Sequence, residues 1–233
     1  MKNTLNTIKD VNKQGGKVLT EIEAKQVIKS AGIKVVETRL AKTQQEAVAI
    51  SGEIGYPVVL KIASPDITHK TEAGGVKLGI TNEAEVKKSY SEILAASVRK
   101  AYPTAKIDGV VVQKMARSGI EIIVGMYKDA QFGPVIMFGL GGIFVEVLKD
   151  VSFRLIPIET RDAGEMIKEI KGYALLNGYR GQEPADIPSL VDVLLKVSAL
   201  VEKTPEIREI DLNPVFACKD SAVVVDARIV LEN

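Results

Sequence analysis

The sequence predicts an α+β fold, with helices and strands that follow one another without the strict strand–helix–strand rhythm of a doubly wound parallel sheet. Three observations carry that prediction. Capping boxes at Thr20-Glu-Ile-Glu23 and Thr43-Gln-Gln-Glu46 open helices early in the chain. β-branched runs such as Val58-Val-Leu-Lys-Ile62 and Val110-Val-Val-Gln-Lys-Met115 read as strands. Near the end, Glu206 to Ala217 and Ala222 to Leu231 read as two arms of a hairpin.

Taken in order, the first helix runs from the Thr20 cap to a stop at Gly32, where the chain leaves the helix. Ile33 to Leu40 is a strand, the Thr43 box starts a second helix that Gly55 ends, and Val58 to Ile62 is a buried strand holding one charge. A loop with His69 follows, then a short strand from Val76 to Ile80, and a helix from Asn82-Glu-Ala-Glu85 to about Ala101. Val110 to Met115 and Glu121 to Met126 are strands joined by Ala116-Arg-Ser-Gly119, a connection of hairpin length. Strands are expected over Val135 to Phe138, Ile143 to Leu148 and around Arg154 up to Pro157, and helices over Arg161 to Ile170 and Ile187 to Lys203. The least regular junction falls near Met115. A boundary there gives two α+β lobes, residues 20–112 and residues 113–233 with the segment 1–19, and a cleft between lobes is the usual place for a ligand.

With 46% hydrophobic residues in 233, the chain can bury an ample core. Its 31 basic and 30 acidic side chains leave a formal charge of +1, which gives no global field for nucleic acid or an anionic membrane. Any phosphate binding is therefore local. The single cysteine, Cys218, cannot form an internal disulfide and fits a reducing cytoplasm. The first residues lack the apolar core of a signal peptide and no apolar run reaches membrane-spanning length, so a soluble, cytoplasmic protein is expected.

The only histidine, His69, lies in Ser64-Pro-Asp-Ile-Thr-His-Lys-Thr-Glu-Ala-Gly-Gly-Val76. Neutral imidazole is a nucleophile near pH 7, so His69 either carries a phosphoryl group or is a surface histidine without a task. The pair Gly74-Gly75 lets backbone amides approach phosphate oxygens without Cβ interference. Lys61, inside an apolar strand, either snorkels out at a sheet edge or meets an anion in a cleft. In Glu209-Ile-Asp-Leu-Asn-Pro214 the strand period puts Glu209, Asp211 and Asn213 on one face. A turn centred near Lys219-Asp220 sets Asn213 about opposite Asp226. That is a hard-oxygen pair suited to Mg²⁺, or else a set of edge-strand polar groups facing water. Gly139-Leu-Gly-Gly142 reads first as a tight turn between strands.

Together, Lys61, the His69 loop with Gly74-Gly75, Gln113-Lys114-Met115 with Glu121, and Asp211-Leu-Asn-Pro214 with Asp226 resemble an ATP-grasp domain. More closely, the chain resembles the separate β subunits of archaeal ADP-forming acetyl-CoA synthetases, relatives of the succinyl-CoA synthetase β subunit. Phe132-Gly-Pro-Val, Asp150-Val-Ser-Phe-Arg154 and Leu176-Asn-Gly-Tyr-Arg-Gly181 are further marks of that family. The resemblance implies an ATP-grasp fold with the nucleotide, ATP or ADP, in the cleft between two lobes. It implies phosphate contacts from Lys61, Gly74 and Gly75, with Arg154 as a further one. It implies base contacts from Gln113, Lys114 and Met115, and ribose contacts from Glu121. Asn213 and Asp226 would hold Mg²⁺, and Asp211 would orient His69, which relays a phosphoryl group. It also implies a CoA- and acyl-binding α subunit, with α2β2 the first expected assembly. Two other readings stay open: an ATP-grasp carboxylate–amine ligase, which has no need of His69, and a nucleotide-sensing module without catalysis.

Overall fold

The computed structural model describes residues 8, 11, 17–67, 70–95, 104–142, 149–181 and 183–232. The chain forms two compact units, residues 36–115 and residues 1–35 with 116–233. Each has its own apolar core. Among the described residues no helix is long and apolar enough to cross a membrane.

The smaller unit is a four-stranded sheet backed by two helices. Its strands are β1 (Thr38–Ala41), β2 (Val58–Ala63), β3 (Val76–Ile80) and β4 (Gly109–Lys114), in the spatial order β1-β4-β2-β3. All neighbours are antiparallel. Helix α2 (Gln44–Ile54) starts where the Thr43 hydroxyl accepts from the amide of Glu46. Helix α3 (Glu83–Leu94) starts where the Asn82 side chain accepts from the amide of Glu85. Caps of this kind contribute about 1 kcal/mol each. The sequence reading carried α3 to Ala101; the helix ends at Leu94, and residues 96–103 lie outside the described residues. Val58, Leu60 and Ile62 alternate with Val110 and Val112 to bury one face of the sheet with α2 and α3.

The larger unit is built on β5 (Ile120–Asp129), β6 (Gly133–Leu140), β7 (Val151–Leu155), β8 (Ile207–Ala217), β9 (Ala222–Val224) and β10 (Ala227–Leu231). The order is β10-β8-β5-β6-β7, with β9 also on β8, antiparallel throughout. One face packs against α1 (Glu21–Ser30), α4 (Thr160–Glu169), the short α5 (Tyr173–Leu176) and α6 (Ile187–Lys203). Helix α6 alone buries Leu190, Val193, Leu194, Val197 and Val201 there, each on the order of 1.5–3 kcal/mol.

Three expectations change. The helix capped by Thr20 was assigned to the first lobe, yet α1 belongs to the larger unit. Its Ala24, Val27 and Ile28 join the larger core, and Leu19 donates from its amide to Ile229 in β10. The sequence gives only an amphipathic face; which sheet receives it is a long-range choice. Residues 116–119 join strands of different sheets, so they link the two units and close no hairpin. The strand expected over Ile143 to Leu148 lies outside the described residues.

Candidate functional site

In the smaller unit Lys61 sits on an interior strand, between Val76 of β3 and Val111 of β4, and is only 7% exposed. Snorkelling at a sheet edge is thereby ruled out. Paired residues in an antiparallel ladder share a face, so Lys61 and Val111, with Val59 and Gln113, project opposite the helix-packed Leu60 and Val112. Gln113 is likewise buried. Lys114 turns its ammonium to the carbonyls of Gly55 and Tyr56 at 2.7 and 3.2 Å, closing the end of α2. The amides of Lys114 and Met115 donate to Glu37 and Pro57. Both amides are therefore used within the smaller unit.

His69 lies outside the described residues. The turn after it corrects the expectation for Gly74-Gly75. The Gly74 amide donates to Thr71 at 3.0 Å and the Gly75 amide to Lys70 at 2.8 Å, so both donors are spent within the turn and are not aimed at a ligand. The glycines are required sterically. Gly74 has φ of 67°, a left-handed value that costs other residues energy. A Cβ on Gly75 would lie 2.5 Å from Ile62 Cγ2.

In the larger unit, Ile210 and Leu212 point into the core while Glu209 and Asp211 take the opposite, open face, as the strand alternation predicts. Val215 pairs with Val224 and Leu212 with Ala227. That common register brings Asn213 and Asp226 opposite each other, as counted from the sequence. Asn213 is exposed, and Asp226 accepts from the Ala227 amide at 2.9 Å. Burial pushes the Asp211 carboxyl above its ordinary range, the charges of Glu209 and Asp226 push it further, and Arg228 opposes them. A half-buried carboxyl with two further acidic side chains near it favours a cation. Among the described residues no three His, Cys, Asp or Glu side chains converge as a complete metal cage. A carbonyl oxygen and a carboxylate nevertheless fit Mg²⁺, which keeps waters and takes the rest of its shell from phosphate.

Glu121 lies on the same open face, four residues along β5 from Gly125, which is the partner of Asp211. Its carbonyl accepts from the Gly141 amide at 2.7 Å, and a Cβ on Gly142 would stand 2.8 Å from its Oε2. Gly141-Gly142 is thus more than a turn: it makes room for the Glu121 carboxylate. Glu121, Gly142, Arg117 and Cys218 line a cavity of about 850 Å³ at this end of the sheet. Burial and the charge of Asp220 raise the Cys218 thiol, which fits a packing residue and not a nucleophile.

Arg154 departs from its expected role. It pairs with Ile136, whose side chain is in the core, and so projects from the helix-covered face, away from Asp211 and Glu121. Its guanidinium bonds Glu169 at 2.8 Å and the Phe153 carbonyl at 2.8 Å. The sequence reading overlooked Arg228, which pairs with Asp211 on the open face; the strand alternation of Arg228 and Val230 was the available signal.

Comparison with known proteins shows the family. The ATP-grasp domain family matches residues 10–231. The β subunit of acetate–CoA ligase [ADP-forming] I of Pyrococcus furiosus is 53% identical over 91% of both chains. A solved dinucleotide-forming acetyl-coenzyme A synthetase 1 of Candidatus Korarchaeum cryptofilum, in complex with coenzyme A, Ca-AMPCP and HgCl⁺, superposes with a TM-score of 0.95 at 49% identity. That match covers 97% of this chain and 99% of the other. A second structure of that synthetase has coenzyme A and Mg-AMPPCP, with a phosphohistidine segment pointing towards the nucleotide binding site. Its TM-score is 0.87 at 45% identity, over 98% of this chain and all of that one. This chain belongs to the ATP-grasp domain family, within the branch of the β subunits of ADP-forming acetate–CoA ligases.

Proposed function

We propose that this chain is the nucleotide-binding β subunit of an ADP-forming acyl-CoA synthetase, acting reversibly on acetate or a related acid. The observation that carries the reading is the acidic hairpin: Asp211 on the open face of β8, followed by Asn213 in register with Asp226, in a chain alike over nearly its full length to such β subunits. A partner α subunit binds CoA and the acyl group, forms the acyl phosphate with phosphate, and becomes phosphorylated on its own histidine. His69 then takes that phosphoryl group and delivers it to ADP.

In this reading Lys61 neutralises nucleotide phosphate, the main chain of Gln113, Lys114 and Met115 meets the base, and Glu121 accepts from the ribose hydroxyls. Asp211 accepts from the imidazolium N–H of His69 and holds the ring in line. Asn213 and Asp226 hold Mg²⁺, which supplies charge neutralisation and a template for the phosphate oxygens when bound. Gly74 and Gly75 shape the turn that carries the histidine loop. Arg154 has no part in the site. Little acid–base chemistry is needed, because phosphoryl transfer depends chiefly on positioning and electrostatic stabilisation. The assembly is an α2β2 heterotetramer, since closed two-fold symmetry is the commonest arrangement. The protein works in the cytoplasm.

The test is acyl-CoA formation by the isolated chain and by the chain mixed with its partner. With acid, CoA and ATP, the chain alone is expected to bind nucleotide and make no acyl-CoA, and activity is expected on mixing. Full activity from the chain alone overturns the reading. A His69→Asn variant that still turns over at the wild-type rate overturns the relay and favours a ligase that uses acyl phosphate directly.

A further inference from the structure

The larger unit buries a carboxylate that the nucleotide contacts do not use. Asp150, just ahead of β7, is only 7% exposed. Its two oxygens accept from the main-chain amides of Lys171 at 2.8 Å and Gly172 at 2.7 Å, in the turn between α4 and α5. Burying a carboxylate costs desolvation that an apolar side chain avoids. What it supplies here is direction, one oxygen to each amide. The turn so fixed presses on the end of β6: a Cβ on Gly172 would stand 2.2 Å from Leu140 Cδ1. The main chain of Asp150 closes on the same strand, since a Cβ on Gly139 would stand 2.7 Å from its carbonyl oxygen. Leu140 leads directly into Gly141, whose amide is bonded to the Glu121 carbonyl, and into Gly142, which leaves room for the Glu121 carboxylate. Residues 139–142 are therefore held between Asp150 and Glu121. Leu140, Gly141 and Gly142 line the cavity at this end of the sheet together with Glu121 and with Leu175 of α5.

We propose that Asp150 is a positioning residue for the ribose contact: it pins the α4–α5 turn against Leu140 and so fixes the main chain of Gly141 and Gly142 on which the Glu121 carboxylate is seated. The proposal deepens the nucleotide reading and rests on Glu121 as the acceptor of the ribose hydroxyls. Asp150 acts through these residues and is not itself a nucleotide contact. Replacing it by Asn keeps the shape of the side chain but turns an N–H towards one of the two main-chain amides, which then has no acceptor. The turn loosens, Leu140 gains freedom, and Glu121 loses its seat. The phosphate and base contacts belong to other residues and are unaffected.

The experiment compares ADP with 2′,3′-dideoxy-ADP, each titrated calorimetrically with Mg²⁺ into the full chain well below its melting temperature. Wild type is expected to prefer ADP by about tenfold or more, because the hydroxyls bond a charged acceptor. Asp150→Asn should cut that preference to about threefold or less while its affinity for dideoxy-ADP stays within about twofold of wild type. Glu121→Gln should remove the preference, and adding Asp150→Asn to it should cost nothing further, as expected of residues acting in one unit. Ser152→Ala is the control for lost stability alone. Its hydroxyl donates to the Met166 carbonyl at 2.9 Å, holding β7 to α4 away from the turn, so the variant should melt lower and keep the full preference. Equal weakening of both nucleotides by Asp150→Asn, or an undiminished preference, overturns the proposal. Hydrogen exchange on the unaltered chain gives a second reading that does not depend on any variant folding. Coupling is reciprocal, so ADP should slow exchange at the amides of Lys171 and Gly172 more than dideoxy-ADP does, and equal protection by the two overturns the proposal. Equal affinity of wild type for both nucleotides would instead remove Glu121 as the ribose acceptor, the reading on which the proposal stands.

Discussion

Asn213 and Asp226 stand across from each other because the register is the same on both sides of the gap between β9 and β10, in the Val215–Val224 pair and in the Leu212–Ala227 pair. The length of the turn through Lys219 and Asp220 sets this register, while on the β5 side β8 carries a register shift between Leu212 and Val215, both of which face the core. Neither Asn213 nor Asp226 is held by the core, so each can be replaced without a cavity.

Asn213→Ala and Asp226→Ala should each weaken ADP binding by about tenfold or more in the presence of Mg²⁺, equivalent to about 1.4 kcal/mol. The two variants should differ little from wild type in EDTA. Calorimetric titration with and without the ion checks this. Equal affinities in Mg²⁺ for all three proteins would return these residues to solvent-facing edge groups.

Lys61 makes a different prediction because it is buried on an interior strand. Lys61→Ala should raise the dissociation constant for ADP by about tenfold or more and reduce turnover, since the lost partner is a charged phosphate. Thermal melts should show a smaller rise on adding ADP than wild type shows. A large fall in melting temperature with the ADP response intact would mark a lysine used for folding.

The raised Asp211 carboxyl sets a pH dependence. A carboxyl that binds its proton more tightly when folded stabilises the protein relative to its ionised form below the unfolded pKa of about 3.9. That contribution is lost as pH rises through the folded value. At pH 7 the ionised group therefore costs stability. In Mg²⁺-free buffer Asp211→Asn should melt above wild type at pH 7. The difference should shrink towards acid pH. A variant less stable than wild type at pH 7 would show that Arg228 outweighs burial there.

Gly75→Ala tests the steric account of the glycine pair. The added methyl meets Ile62 Cγ2 and the Lys70 carbonyl, and overpacking of this kind costs about 1–3 kcal/mol. The variant should lose stability whether or not nucleotide is present. Unchanged stability with lost ADP binding would restore the amides as phosphate donors.

Legibility in the sequence followed the range of the interaction. The Thr20, Thr43 and Asn82 caps are settled within three residues, and each is observed with the expected partner. The acidic face of β8 is settled by strand period and its register by one turn, which is why Asn213 and Asp226 could be paired in advance. The ATP-grasp fold and the family followed from an ordered set of motifs spread over nearly the whole chain. Arg154 was misread because its own strand is short, and only its pairing with Ile136 shows which face it takes. Gly74 and Gly75 look alike as phosphate donors or turn formers until the carbonyls of Lys70 and Thr71 are placed. Arg228 was passed over because its neighbour Glu209 reads as an ordinary surface partner.

The assignment of α1 to the larger unit also sets an order of events during synthesis. Residues 36–115 contain every strand partner of their own sheet, so that unit has its complete set of contacts once residue 115 has left the ribosome. Leu19 and Val18, made almost a hundred residues earlier than this point, must wait for Ile229 and Val230. The larger unit therefore closes last, after the smaller one is complete. A nascent chain halted before β10 would expose the apolar face of α1 while its smaller unit was already protected from protease.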